Sequence, residues 1–490
     1  MHTTNQASAV NSDNTENNQT IDHTKHQIQN AREVFDLQRA TFAQAPFPGE
    51  KLRLQQLKAL KTALLKHKDK LVKAISADFD CRSNDESLLA DVLPTIMNID
   101  HAMKHLRAWM KPEKRKIHWL FQPAKAGIMY QPLGVVGIMG AWNYPVFLTL
   151  GPLVAAIAAG NRAMVKPSEH CPYTNRVLNE IIQESFTQDE VYLVEGGVEV
   201  GAAFTELPFD HILFTGSTKV GRLVMSAAAK NLTPVTLELG GKSPAIIASD
   251  VSADFAVERM LFGKTLNAGQ TCVAPDYVLC PEDKVDGLIE AFKDQFSVLY
   301  PDVNNGDRTS IINEGQHSRL SDWLKDAQDK GANIIPLSEE NPKVKRYMPL
   351  YLATDVSMDM TIMQEEIFGP ILPIVTYKNI EQAIQIVNDG ARPLALYLFS
   401  FDKALQQKLA LETHSGGICV NDTLVHFAQD DLPIGGVGPS GMGKYHAQEG
   451  FKTFSNAKPI FKRGRFNSAK MAFPPYGNAI HRFIYRWFLR

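Results

Sequence analysis

A cysteine, a glutamate, an asparagine and a lysine stand in this chain in settings where each could take part in a reaction or hold a ligand. Cys272 lies in the run Asn267-Ala268-Gly269-Gln270-Thr271-Cys272-Val273-Ala274-Pro275, which is small and polar before the thiol and more apolar after it. A structural cysteine usually sits inside an aliphatic run, where burial makes it inert. Here a flexible turn offers the sulfur at the edge of a strand expected over Ala274 to Cys280, as a nucleophile requires. Taken alone, the same residue could be a small buried hydrophobe in a turn.

Four other stretches could serve the same centre. Glu238 sits in Leu237-Glu238-Leu239-Gly240-Gly241-Lys242-Ser243-Pro244. Desolvation in that apolar run would raise its pKa toward the range of a general base, although an ion-paired glutamate with no catalytic role would look alike. Ala141-Trp142-Asn143-Tyr144-Pro145 places an amide at a strand end, where it could donate to an oxyanion or cap the following helix. Val165-Lys166-Pro167-Ser168-Glu169 also closes a strand. Strand ends of open parallel sheets are docking places, so Lys166 and Glu169 could grip ribose hydroxyls, or form a surface pair. Phe214-Thr215-Gly216-Ser217-Thr218-Lys219-Val220-Gly221 reads as strand, turn and helix. Gly216 and Gly221 permit close backbone approach, and the helix start favours phosphate, without the G-x-G-x-x-G fingerprint.

The elements that must position these residues alternate. Residues Ala31 to Met110 read as helices, broken at Pro46-Phe47-Pro48-Gly49 and resuming at about Lys51 to Phe79 and Ser87 to Met110. Between Lys111 and Pro132 the residues Ile117, Trp119, Phe121, Ile128 and Tyr130 alternate like a β-hairpin. Strands are then expected at Gly134 to Met139, Ala163 to Lys166, Val191 to Val194 and His211 to Phe214. Helices are expected at Leu153 to Ala159, Asn175 to Phe186 and Val220 to Ala228, which together spell βαβ units and a parallel sheet. A second α/β region follows Glu238, with strands at Ala245 to Ile247 and Ile371 to Val375 and a helix at Val285 to Leu299.

The fold class expected is therefore α/β. It comprises a parallel-sheet nucleotide-binding domain (30–110 and 133–237), a second α/β catalytic domain (238–439) and a small β bridging element (111–132 and 440–465). With 490 residues the chain is too long for one ordinary core. Met1 to Gln29, rich in Asn, Thr, Gln, Asp and His, is expected to be a disordered tail without the apolar centre of a signal peptide. The formal net charge of −2 offers no electrostatic argument for nucleic acid. Five scattered cysteines without a Cys-x-x-Cys pair argue against disulfides and zinc, so no metal is expected and a reducing, cytoplasmic setting fits. Residues 466–490 form an amphipathic segment. Within it Ile480, Phe483, Ile484, Trp487 and Phe488 make an apolar stripe beside Arg482, Arg486 and Arg490. Such a helix could lie on a membrane or dock on protein.

Together the stretches resemble the aldehyde dehydrogenase superfamily in content and order, including Glu365-Glu366-Ile367-Phe368-Gly369-Pro370 and the 34-position separation of Glu238 and Cys272. Pro433-Ile434-Gly435-Gly436-Val437-Gly438-Pro439-Ser440-Gly441-Met442-Gly443 is similar to the class 3-like branch and, within it, to the coniferyl aldehyde dehydrogenases. The resemblance implies oxidation of an aldehyde to its acid, with Cys272 as nucleophile, Glu238 as the base for hydrolysis and Asn143 at the oxyanion. It implies NAD contacts from Trp142, Lys166, Glu169, Gly216, Ser217, Val220, Gly221, Glu366 and Phe368, with NADP also accepted by related enzymes. A homodimer joined through the bridging element is implied as well. A long-chain fatty aldehyde is the alternative substrate, a coenzyme A-acylating enzyme is disfavoured by Glu238, and a catalytically dead binding scaffold is disfavoured by the intact Cys272, Glu238 and Asn143.

Overall fold

The computed structural model describes residues 7–302, 305–339, 343–467, 470–471 and 473–489, with backbone alone at 7–21 and 120. The βαβ alternation produces a six-stranded sheet with strands in the order Gly441–Met442, Val235–Glu238, His211–Thr215, Val135–Met139, Arg162–Lys166 and Val191–Leu193. All run parallel except Gly441–Met442, which pairs antiparallel with Glu238 and Leu237. The helix Phe147–Ala159 is apolar all round and accordingly buried. It covers one face with Glu50–Phe79 and Pro172–Ser185, which bury Leu57, Leu64, Leu153 and Ile181 against Val136 and Val165. The opposite face packs Phe35, Phe204, Phe209 and Val224 against Ile212 and Met164.

The chain reverses direction across the sheet between Val135–Met139 and His211–Thr215, and the strand C-termini around that switch point are where a ligand docks in such a fold. A seven-stranded sheet follows, ordered Asn333–Pro336, Tyr351–Thr354, Ile371–Tyr377, Tyr277–Pro281, Pro244–Ile247, Ala395–Phe399 and Gly417–Val420. Only Asn333–Pro336 is antiparallel, and helices such as Ala253–Thr265 and Val285–Leu299 bury Met260, Leu261 and Phe292 on one face of it. The polypeptide passes from Glu238, at the C-terminal end of one strand, to Pro244, at the N-terminal start of another. The C-terminal edge of the first sheet thus meets the N-terminal edge of the second, and the cleft between them contains both glutamate and thiol.

Three expectations need correction. The helix Ala7–Gln44 begins within the stretch expected to be disordered, while residues 1–6 lie outside the described residues. Ile28, Ala31, Val34 and Phe35 recur at helical spacing and dock on the first sheet, and Asn30 Nδ2 donates to the Tyr192 hydroxyl at 2.6 Å. That burial offsets the ordering entropy of the polar turns before it. The hairpin is shorter than its apolar alternation implied. Glu113–Arg115 pairs with Ala124–Pro132, whereas Trp119–Phe121 forms a 3-10 turn between them. Finally, the bridging sheet is completed by Ser455–Arg463 alone, because Gly441–Met442 joins the nucleotide sheet and the helix Ala447–Thr453 packs on Phe147–Ala159.

A helix N-terminus is satisfied here from another helix. Asp78 Oδ1 accepts from the Tyr173 N–H at 3.0 Å and Oδ2 from the Thr174 N–H at 2.9 Å and its hydroxyl at 2.6 Å. Removing a buried cap leaves orphan donors, so Asp78→Ala is expected to destabilise the fold by about 1–3 kcal/mol. A lowered Tm in thermal denaturation, with unchanged cofactor affinity in the survivors, is the check.

Candidate active site

Cys272 follows a loop wound into the left-handed region: Asn267, Ala268 and Gly269 have φ of 52°, 52° and 72°. Non-glycine residues hold such angles only where surroundings over-determine them, and the loop is tied at every step. The buried Gln270 amide donates to the carbonyls of Asn267 and Ser310, both at 3.0 Å, and its Oε1 accepts from the Ile312 N–H at 3.0 Å. The Tyr144 and Thr271 hydroxyls are 2.7 Å apart, and the Tyr397 hydroxyl donates to the Val273 carbonyl.

Asn143 is buried at the start of the neighbouring loop, and its Nδ2 donates to the Gln270 carbonyl at 3.1 Å. It does not cap the helix after it, because Asp91 accepts the Phe147 N–H at 2.5 Å. The Asn143 carbonyl in turn accepts from Arg82 Nη1 and from Asn267 Nδ2, both at 2.9 Å. Arg82 is clasped between the rings of Phe79 and Tyr144 and held by Glu86 at 3.1 Å. The same Glu86 Oε1 accepts from the Asn267 N–H at 3.1 Å and the Thr309 hydroxyl at 3.0 Å. One buried ion pair on the helical layer therefore fastens the amide to the thiol loop.

Glu238 is buried, and its Oε1 has no hydrogen-bond partner among the described residues. Burial pushes its pKa well above the carboxylate range, opposed only by the charge of Lys444. Lys444 Nζ is engaged by the Gly435 carbonyl at 2.6 Å, and a Cβ at Gly435 would lie 3.0 Å from Glu238 Oε1. Burial, with the nearby charges of Glu366 and Glu238, pushes the Cys272 thiol up to about 12, so at rest the sulfur is protonated. All five cysteines are free thiols.

A cleft of about 1360 Å³ runs outward from these groups. Its inner part holds Trp142, Phe368 and Glu366, with the Trp142 and Phe368 rings edge-on at 5.3 Å. Burial and then the charge of Asp276 raise Glu366 to about 8. Its carboxylate fits only because Gly240 lacks a side chain, since a Cβ there would come within 2.0 Å of Oε2. The loop bearing Glu366 is clamped by Lys242, which pairs with Asp276 and donates to the carbonyls of Ile362 at 2.7 Å and Glu365 at 3.0 Å. Arg319 Nη2 adds a bond to the Ile367 carbonyl at 2.8 Å.

The outer part brings Lys166 and Glu169 together at 3.8 Å, beside Gly216, Ser217, Val220, Val198 and Leu223. Ser217 caps the helix Thr218–Ala229 by accepting from the Val220 N–H, and a helix start of this kind favours an anion. Gly221 does not line the cleft. It lets the helix pack on Leu239, whose Cδ2 would meet a Cβ at 2.7 Å. A carboxylate–lysine pair, a helix N-terminus, an apolar slot and an inner carboxylate in series fit a dinucleotide. Among the described residues no group of three His, Cys, Asp or Glu is placed to hold a metal ion.

Residues 5–460 match the aldehyde dehydrogenase family. The chain belongs to that family. It is 52% identical over 471 residues to a probable coniferyl aldehyde dehydrogenase of Pseudomonas aeruginosa, covering 96% of this chain and 98% of that one. A substrate-bound Staphylococcus aureus AldH has a TM-score of 0.89 at 38% identity, over 93% of this chain and 99% of its own. A Mycobacterium tuberculosis aldehyde dehydrogenase complexed with NAD+ has a TM-score of 0.80 at 28% identity, over 89% and 91% of the two chains.

Several residues of this aldehyde dehydrogenase site escaped the sequence reading. Arg82 and Glu86 sit among ordinary helical charges, and their importance lies in contacts far along the chain, 61 positions for Arg82 with Asn143 and 181 and 223 for Glu86 with Asn267 and Thr309. Lys242 and Asp276 were within the quoted motifs or beside them, yet nothing in their spacing announces a clamp. Val198 and Leu223, exposed and apolar, look like surface noise until the slot is seen. Two outcomes follow. Glu86→Gln keeps an acceptor but discharges the ion pair, so it is expected to lower kcat about 10–100-fold through misplacement of Asn143 while NAD affinity is retained. Initial rates with cofactor titration check this. Gly240→Ala, by displacing the Glu366 carboxylate, is expected to weaken NAD binding severalfold in a fluorescence titration without loss of fold by circular dichroism.

Proposed function

We propose that this aldehyde dehydrogenase oxidises an aromatic aldehyde of the coniferaldehyde type to its carboxylic acid, with NAD as acceptor. The observation that carries the reading is a free thiol and a buried carboxylate oxygen without a hydrogen-bond partner among the described residues, both lining one cleft long enough for a dinucleotide. The aromatic substrate rests on likeness to the Pseudomonas aeruginosa relative, and NAD on the cofactor in the Mycobacterium tuberculosis structure.

The residues act in sequence. Glu238 takes the proton from Cys272 Sγ, and the thiolate adds to the aldehyde carbon, forming the C–S bond of a thiohemiacetal. The oxyanion accepts from the second Asn143 Nδ2 hydrogen and from the Cys272 N–H, an arrangement worth roughly 3 kcal/mol per donor. When bound, the nicotinamide ring supplies the two-electron acceptor that turns this adduct into a thioester. Glu238, having passed its proton outward, then takes one from water, which attacks the thioester carbon. The C–S bond breaks, Cys272 leaves as thiolate, and the acid is released.

Lys166 and Glu169 hold the adenosine ribose, Ser217 and the helix start the pyrophosphate, Val220 the adenine, and Glu366, Phe368 and Trp142 the nicotinamide side. Glu169 repels a 2′-phosphate, so NAD is preferred to NADP, and equal catalytic efficiency with both would refute the preference. The bridging sheet, whose strand Ser455–Arg463 has one edge unpaired among the described residues, serves as the homodimer surface. A cytoplasmic location accords with five free thiols.

A second reading, a long-chain alkanal, is favoured by the apolar residues left exposed on the C-terminal helix. Reduced-nicotinamide formation with coniferaldehyde against a long-chain alkanal at matched concentration separates the two. Cys272→Ala is expected to abolish turnover and keep NAD binding, and appreciable remaining oxidation would sink the nucleophile assignment. The thiol and base titrate as a coupled pair, and the productive pair has lost a proton, so kcat/KM rises with pH. Glu238→Gln is expected to move that rise to higher pH and slow steady-state turnover about 10²–10⁴-fold. Acyl-enzyme trapped by acid quench and seen by mass spectrometry is the check.

A further inference from the structure

Residues 450–490 contain no Asp or Glu and nine Lys or Arg, in a chain whose formal net charge is −2. Lys111, Lys114, Arg115, Lys116 and Lys125 form a second basic stretch with only Glu113 among them, and the fold brings the two together. The helix Ala479–Phe488 seats Phe488 against the rings of Trp119, at 5.9 Å and 24°, and His118, at 5.6 Å. His481 is buried on the docked side, and Asn478 caps the helix by accepting the His481 N–H at 3.0 Å.

Docking covers only part of the apolar stripe. Ile480, Phe483 and Trp487, at i, i+3 and i+7, remain 45%, 59% and 63% exposed, beside Trp119 and Phe121 at 56% and 48%. Arg482 and Arg486, one turn apart, flank that face, and among the described residues neither makes an ion pair. A row of aromatic rings bordered by arginines suits the boundary between headgroups and acyl chains, where rings enter and guanidiniums reach back to phosphate. A second copy seated on the Ala479–Phe488 helix itself, away from the Ser455–Arg463 edge, is a poor occupant, because two-fold contact there would set Arg482 and Arg486 against their own copies. A nucleic acid needs the charges but gives no reason for three exposed apolar residues in register. Among the described residues no helix is long and apolar enough to cross a membrane. The exposed apolar residues run along the length of this one, as in a helix lying in an interface.

We propose that the Ala479–Phe488 helix and the Trp119–Phe121 turn form a platform that docks the enzyme on an anionic phospholipid bilayer. The inference does not depend on which aldehyde is oxidised. The test is co-sedimentation of the full chain with phosphatidylcholine vesicles and with mixed phosphatidylcholine–phosphatidylglycerol vesicles, with no aldehyde present. Binding to the anionic vesicles that weakens with salt is expected, with little binding to phosphatidylcholine alone. Arg482→Glu with Arg486→Glu is expected to lower the vesicle partition about tenfold or more. Trp487→Ser is expected to lower it severalfold, and both variants should keep oxidation of a water-soluble aldehyde. Failure to bind anionic vesicles, equal binding to both compositions, or full binding by both variants overturns the proposal. So does a change of oligomeric state in the arginine variant without vesicle binding by the parent, which would assign the face to a second copy.

Discussion

The carbonyl oxygen of Asn143 accepts two buried donors, one from Arg82 and one from Asn267, and through it the two halves of the molecule hold a common position. The amide follows a strand of one sheet and the thiol precedes a strand of the other, so bonds between the two loops must set their mutual position. Glu86 fixes the guanidinium and the Asn267 N–H with the same oxygen. The left-handed turn before Cys272 is thereby held by charge-assisted bonds to a largely buried ion pair, where breaking one partner costs several kcal/mol. Most of the geometry proposed for catalysis hangs from that one junction.

Around it, charge is managed by desolvation rather than by pairing. Glu238 has an unpartnered oxygen, Glu366 is raised to about 8, and Lys264, buried beside Asp276 and Lys242, is lowered to about 8. Glu366 and Lys264 thereby sit near the point where each can gain or lose a proton, and Glu238 is shifted in the same direction as Glu366. The fully paired Lys242–Asp276 contact has a different task, since it anchors the loop carrying Glu366 and Phe368. The same interior thus contains groups made labile by isolation and groups made rigid by partnership.

Much of this was legible beforehand. The strands Val135–Met139 and His211–Thr215 are short aliphatic runs bounded by turn residues, and both were expected within a residue of where they lie. Cys272, Glu238, Asn143, Lys166 and Glu169 all line the cleft, because glycine turns and strand ends mark such places in the chain itself. The errors have physical causes. The N-terminal helix is polar enough to read as disordered, and only long-range docking of Ile28, Val34 and Phe35 accounts for its order. Gly221 was assigned to the ligand but serves helix packing, a distinction that local sequence does not encode. Arg82 and Glu86 were invisible because their partners are far away in the chain.

Glu238 and Gly240 stand two residues apart on the peptide that joins the sheets, one bearing the proposed base and the other yielding its side-chain space to the Glu366 carboxylate. A substitution at Glu238 therefore falls beside the close contact of Gly240 with Glu366, and one at Gly240 falls beside the proposed base. Such a crossing resists stepwise change, because an improvement at either position is judged by its neighbour. Descendants of this chain can alter what they oxidise more readily than the chemistry by which they oxidise it.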